Sequence, residues 1–254
     1  MNPPSLTQRE AARTRPEHER PAMRQTWSEL LFLHWKGDPN VWTRTLPAGL
    51  HLDTHDGAAW IGVVPFRMDR IRPYALPPLP WLSWFLELNV RTYVHDDEGN
   101  PAVWFYSLDT NRWPAYKIAR SAFKLPYFHS SMRTRRDAGG WIDYRCSRRG
   151  ENESANFLYR PVDRHPAIEA SPGTLEFFLL ERYFLFSHDP FRNRFYSGQV
   201  HHAPYRFREV ELKQWSMLPA KWDGLPPLEG PPDHSCAVEA VDVDLFALRD
   251  LTAS

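Results

Sequence analysis

Along much of the chain apolar residues recur at every second position, the period of a strand with one buried face. The clearest case is LELNVRTYVH (86–95), where Leu86, Leu88, Val90, Thr92 and Val94 share one face and Glu87, Asn89, Arg91 and Tyr93 the other. The turn DDEGNP follows and AVWFYSLD returns, which predicts a hairpin. LLFLHW (30–35) is a short apolar run of strand length, and AAWIGVVPFRM (58–68) follows an Asp56-Gly57 turn. YFHSSMRTRR, DAGG and WIDYRCSRR (127–149) read as another hairpin. Further strands are predicted at 155–162, 183–189, 194–202, 205–215 and 237–246.

Helical spacing is confined to three short stretches. PNVWTRTL (39–46) opens with Pro39 and is stopped by Pro47. RWPAYKIARSAFKL (112–125) puts Tyr116, Ala119, Ala122 and Phe123 on one side, and TLEFFLLERY (174–183) has Thr174 as N-cap. The proline-rich segment 73–84 cannot be a central strand and reads as a stiff loop packed on the body. Residues 1–22 are rich in Pro, Arg and Glu and poor in large apolar groups, so a disordered tail is expected there and one domain over 23–254. Many antiparallel strands with about three short helices predict an α+β, mostly antiparallel β domain of barrel or curved-sheet type.

Composition sharpens this picture. Eleven Trp, 15 Phe and 10 Tyr are a heavy aromatic load, which favours strands and suits an interior with an apolar cavity to line. Lys+Arg and Asp+Glu are both 31, so no global field gathers phosphate and nucleic acid is not expected as a partner. No run of 18 apolar residues exists and the first residues lack the apolar core of a signal peptide, so no membrane span is expected and the cytoplasm is the expected location. Cys146 and Cys236 fit neither a disulfide framework nor a zinc spacing. Neither a GxSxG elbow nor a glycine-rich phosphate loop is present. No metal and no cofactor is assigned, and nothing in the sequence decides for or against a homo-oligomer.

Four blocks of sequence together resemble the YqjF-like branch of the acetoacetate decarboxylase-like superfamily. They are LLFLHW with LPAGLHLDTHDGAAWIGVVPFRM (46–68), FLELNVRTYV (85–94) with VWFYSLD, ARSAFKLPYF (119–128), and ERYFLF (181–186) with GQVHHAPY (198–205). The resemblance implies an antiparallel β-barrel or curved sheet closed around a mostly apolar cavity. It also implies a place for a Schiff-base lysine, an amine kept neutral by desolvation or a neighbouring cation. When ARSAFKLPYF is laid on the superfamily's motif, Tyr127 and Phe128 stand where its lysines belong, so that nucleophile is missing. Of the five lysines, Lys117 is the weak candidate for a displaced one.

Glu87, Asn89 and Arg91 are the main site candidates. They share a strand face that either meets water or lines the cavity; Glu87 resembles the superfamily's strand glutamate, and Arg91 suits a carboxylate. Tyr127 and His201 join them as candidate cavity hydrogen-bonding groups, although His201 and His202 must point to opposite faces of a strand. The expected function is binding of a small acidic or apolar metabolite, with Glu87 and Lys117 as weak catalytic candidates. The alternative is a lyase or decarboxylase-like enzyme acting on small oxo-acids.

Overall fold

Strand period governs the architecture. In the computed structural model, which describes residues 3–113, 123–189 and 192–251, fifteen strands join in one mixed sheet. They are β1 (Met23–Gly37), β2 (His51–Leu52), β3 (Ala59–Pro73), β4 (Phe85–His95), β5 (Pro101–Thr110), β6 (Tyr127–Arg136), β7 (Ile142–Arg148) and β8 (Ala155–Pro161). Then come β9 (Ile168–Glu169), β10 (Phe184–Asp189), β11 (Arg194–His202), β12 (Arg206–Arg208), β13 (Val210–Gln214), β14 (His234–Leu245) and β15 (Arg249–Asp250). Four short helices accompany them among the described residues: α1 (Leu6–Ala11), α2 (Pro39–Trp42), α3 (Leu175–Leu180) and α4 (Leu218–Trp222).

The sheet closes on itself. Strands β5, β10, β11, β14, β1, β3 and β4 pair in that order, and β4 pairs back onto β5. Most pairings are antiparallel; the exceptions are at β5, whose Val103 and Trp104 pair in parallel with β10 while Leu108–Thr110 pair in parallel with β6. One edge of β5 is thus divided, and β6 leads away into a second layer, β6–β7–β8–β13. A bulge helps the long β1 to bend: Glu29 has φ 51° and the register with β3 slips between Ser28 and Leu33.

The second layer decides which way β4 faces. Leu86, Leu88 and Val90 pack with Leu31, Leu33, Ile61 and Val63 from neighbouring strands and with Ile142, Tyr144, Phe157 and Tyr159 of β7 and β8. The apolar face therefore lies between the ring and the second layer. The Tyr144 hydroxyl donates to the backbone carbonyl of Glu87 at 2.7 Å, tying the layers together. All eleven residues of β4 are buried, so its polar face has only the inside of the ring to face.

Two of the three expected helices fall on described residues. Pro39–Trp42 begins at an Asp38 cap and continues as a 3-10 turn to Thr45. At α3 the Thr174 side chain accepts from the backbone N–H of Phe177. The helix expected over 112–125 lies largely outside the described residues.

Within the stretch expected as a disordered tail over 1–22, residues 3–22 are described and include the short helix α1. Ser5 and Gln8 form a reciprocal capping box at the start of α1. Arg9 then joins Asp53 through both terminal nitrogens, at 2.6 and 2.7 Å. The contacts of this segment run from its arginines to carboxylates and rings elsewhere, and α1 has no buried apolar face of its own.

Candidate functional site

Inside one end of the ring is a cavity of about 290 Å3. Its wall is mostly apolar, with Met68, Phe85, Val103, Leu108, Leu180, Val200 and Leu245 contributing from five strands and the end of α3. Gln25, Arg72 and Tyr205 are also in the lining, and Glu87, Arg91, Tyr127 and Arg182 bring further polar chemistry into it. Wider concavities exist on the surface, but this one combines an apolar wall with convergent buried polar groups, the usual character of a small-molecule site.

Glu87 sits on β4, 2% exposed. The Tyr127 hydroxyl, at the start of β6, donates to Glu87 Oε2 at 2.9 Å. Burial pushes the Glu87 carboxyl up to about 8, opposed by the Tyr127 hydrogen bond and reinforced by the charge of Asp109. Near neutral pH the cavity therefore holds a protonated carboxyl beside a phenol, and neither adds negative charge.

Arg91 lies two alternations along the same face. Its Nη2 donates to the Leu179 carbonyl at 3.1 Å and to the Tyr93 hydroxyl at 3.2 Å, and its Nε–H has no hydrogen-bond partner. The guanidinium lies over the rings of Phe32 and Tyr93, at 5.2 and 5.5 Å. No hydrogen bond or ion pair joins it to a carboxylate among the described residues. Room for the side chain comes from Gly62, its partner on β3, where a Cβ would stand 3.2 Å from Arg91 Cγ and 3.2 Å from His34.

Arg182 follows α3 and was not foreseen as a cavity residue. Its Nη1 donates to Asp53 Oδ2 at 2.8 Å, its Nε to the Phe178 carbonyl at 2.7 Å, and its Nη2 has no partner. Burial lowers its pKa to about 10 against the pull of Asp53. Burial works against the Asp53 carboxylate, yet Arg182 and Arg9 hold its pKa below the usual range. The signal in the sequence was Glu181-Arg182 directly after the apolar FFLL, a charged pair where a buried helix ends.

The other expected residues fall differently. Asn89 is buried between Glu87 and Arg91 with an unpartnered Oδ1, but it is not part of the cavity wall. His201 lies outside the cavity, in a surface groove with Arg24, Arg70, Arg72 and Arg206. Strand alternation turns His202 inward instead, where it stacks on Tyr183 at 4.5 Å and lies 4.4 Å from the Tyr205 ring of the cavity wall. Lys117 lies outside the described residues. The four described lysines are elsewhere: Lys124 is 3.6 Å from Asp189, Lys221 is 3.3 Å from Glu153, and Lys36 and Lys213 lie over the rings of Trp60 and Trp141. Cys146 and Cys236 are buried and free.

Residues 24–242 match the model of DUF2071, described as an "uncharacterized conserved protein". The chain belongs to the DUF2071 family. The YqjF protein of Bacillus subtilis (strain 168) is 38% identical over 192 residues, 75% of this chain and 77% of that protein. Among solved structures, the acetoacetate decarboxylase of Legionella pneumophila superposes with a TM-score of 0.61 at 13% identity, covering 95% of this chain and 92% of that one. The enduracididine biosynthesis enzyme MppR, in complex with pyruvate, has a TM-score of 0.61 at 16% identity and 92% coverage of each chain. This DUF2071 protein therefore has the acetoacetate decarboxylase-like fold. No helix among the described residues is long and apolar enough to cross a membrane.

Proposed function

We propose that the cavity binds a small organic acid with an apolar tail, its carboxylate anchored by Arg91. One observation carries this reading: Arg91 is buried on the cavity wall with no carboxylate partner among the described residues. A desolvated cation without a counter-ion is costly, and an anion entering the cavity supplies one. The protonated Glu87 and the Tyr127 hydroxyl suit a neutral polar group on the ligand, such as a keto oxygen, while the apolar wall takes the tail. A protein of the same fold, MppR, has been seen with pyruvate, which supports an oxo-acid as the ligand class.

The reading is of binding rather than Schiff-base catalysis, since the described lysines are away from the cavity. Calorimetric titration of the full chain with pyruvate, 2-oxobutyrate and 2-oxooctanoate tests it. Arg91→Ala is expected to weaken the acid that binds best by ~1–3 kcal/mol, the scale of a charged hydrogen bond. Unchanged affinity removes Arg91 as the anchor. Borohydride added in the presence of the same acids tests the lyase alternative: a lysine adduct in the mass spectrum overturns the binding-only reading.

A further inference from the structure

We propose that Arg9 is a positioning residue of the anion site, setting the charge of the cavity wall through Asp53 and Arg182. The inference rests on the reading of the cavity as a carboxylate site and adds a determinant that precedes residue 24, where the family match begins.

The geometry is a chain of three charges. Arg9 Nη1 and Nη2 take both oxygens of Asp53, at 2.6 and 2.7 Å. Asp53 is fully buried, and its Oδ2 also accepts from Arg182 Nη1 at 2.8 Å. Arg182 lines the cavity. One carboxylate is therefore divided between two guanidiniums, and the cluster carries a net charge of +1 rather than zero. Because the cluster is buried, the excess charge is poorly screened and acts at close range on an anion in the cavity.

The segment carrying Arg9 is seated, not merely near. The Gln8 side chain donates to the Glu98 carbonyl at 3.2 Å, and the Thr14 carbonyl accepts from Gln199 at 3.0 Å. Arg9 lies over the ring of Phe178 at 5.1 Å, and Arg13 over that of Phe177 at 5.8 Å. Both rings belong to α3, whose next residues turn the other way: the Leu179 carbonyl accepts from Arg91, while Leu180 and Arg182 line the cavity. Helix α3 is thus held between the N-terminal segment and the site. Removing the Arg9 charge leaves Asp53 to neutralise Arg182 alone and lowers the attraction for an anion. By linkage, a bound anion tightens the seating of Arg9 by the same factor.

Calorimetry on the full chain separates the possibilities, with 2-oxooctanoate as the acid and 2-octanone as its neutral counterpart. Arg9→Ala is expected to weaken 2-oxooctanoate about 5- to 10-fold, toward the low end for coupled sites, and to leave 2-octanone unchanged. Arg9→Lys is expected to recover most of the loss, since it keeps the charge. Equal affinity of wild type and Arg9→Ala for the acid overturns the inference while the carboxylate site stands. Equal weakening of acid and ketone overturns it too, because Arg9 then holds shape and not charge. A wild-type chain that binds no 2-oxooctanoate overturns both this inference and the reading beneath it.

Discussion

Glu87 is the residue whose chemistry the surroundings change most informatively. Its carboxyl is pushed up to about 8 in the folded chain against an ordinary 4.5. Between those values the folded chain keeps a proton that the unfolded chain has lost. Stability therefore falls as pH rises across that window, by up to about 1.4 kcal/mol per pH unit from this one group. Glu87→Gln is expected to flatten that part of the urea-denaturation profile; an unaltered slope sinks the assignment. Acid binding is expected to weaken as pH passes through about 8, because ionised Glu87 puts a negative charge beside the ligand. Tyr127→Phe removes the hydrogen bond that holds the pKa down, so the midpoint of that loss should move to higher pH. The alternation of 86–95 made Glu87 and Arg91 candidates. It could not say that Asn89 would sit off the cavity wall, because that depends on how the barrel curves past each side chain.

At the scale of elements, β4 and β3 act together. The polar face of β4 turns inward because β7 and β8 cover its apolar face, and Gly62 on β3 leaves the space in which Arg91 lies. Gly62→Ala puts a methyl 3.2 Å from both Arg91 Cγ and His34. It is expected to cost ~1–3 kcal/mol of stability, the usual scale for overpacking, and to weaken acid binding as the guanidinium shifts. A variant with wild-type stability and affinity would show that the close approach does not matter. On β11 the sequence limited the adjacent histidines to opposite faces, and the structure puts His202 inward beside Tyr205. Periodicity alone gives two faces without saying which is inner.

At the scale of the molecule, the ring and the second layer are fastened by a buried polar knot. Arg148 at the end of β7 donates to Asp109 of β5 at 2.6 and 2.8 Å, and to Asp223, just after α4, at 2.5 Å. The Ser107 hydroxyl also donates to Asp223, at 2.5 Å, and the guanidinium lies over Phe128 at 4.3 Å. Arg148→Ala strands two buried carboxylates and is expected to destabilise by ~3–5 kcal/mol. Arg160→Ala, which breaks a half-exposed pair with Glu211, should cost no more than ~1 kcal/mol. Urea unfolding that gives the two variants similar midpoints would remove the knot from this account.

The sequence by itself determined the strand class, the pairing of β4 with β5 across DDEGNP, the cap of α3 and the division of β4 into an apolar and a polar face. These are local facts, set by residue period, turn chemistry and side-chain oxygens within a few positions. The tertiary structure alone decided that the ring closes at β5, that the second layer covers the apolar face of β4, and that Arg182 and Arg9 meet at Asp53. Those depend on residues brought together from 44 and 129 positions apart. Charge and burial between such distant groups leave no periodic trace, because each residue alone reads as an ordinary surface ion.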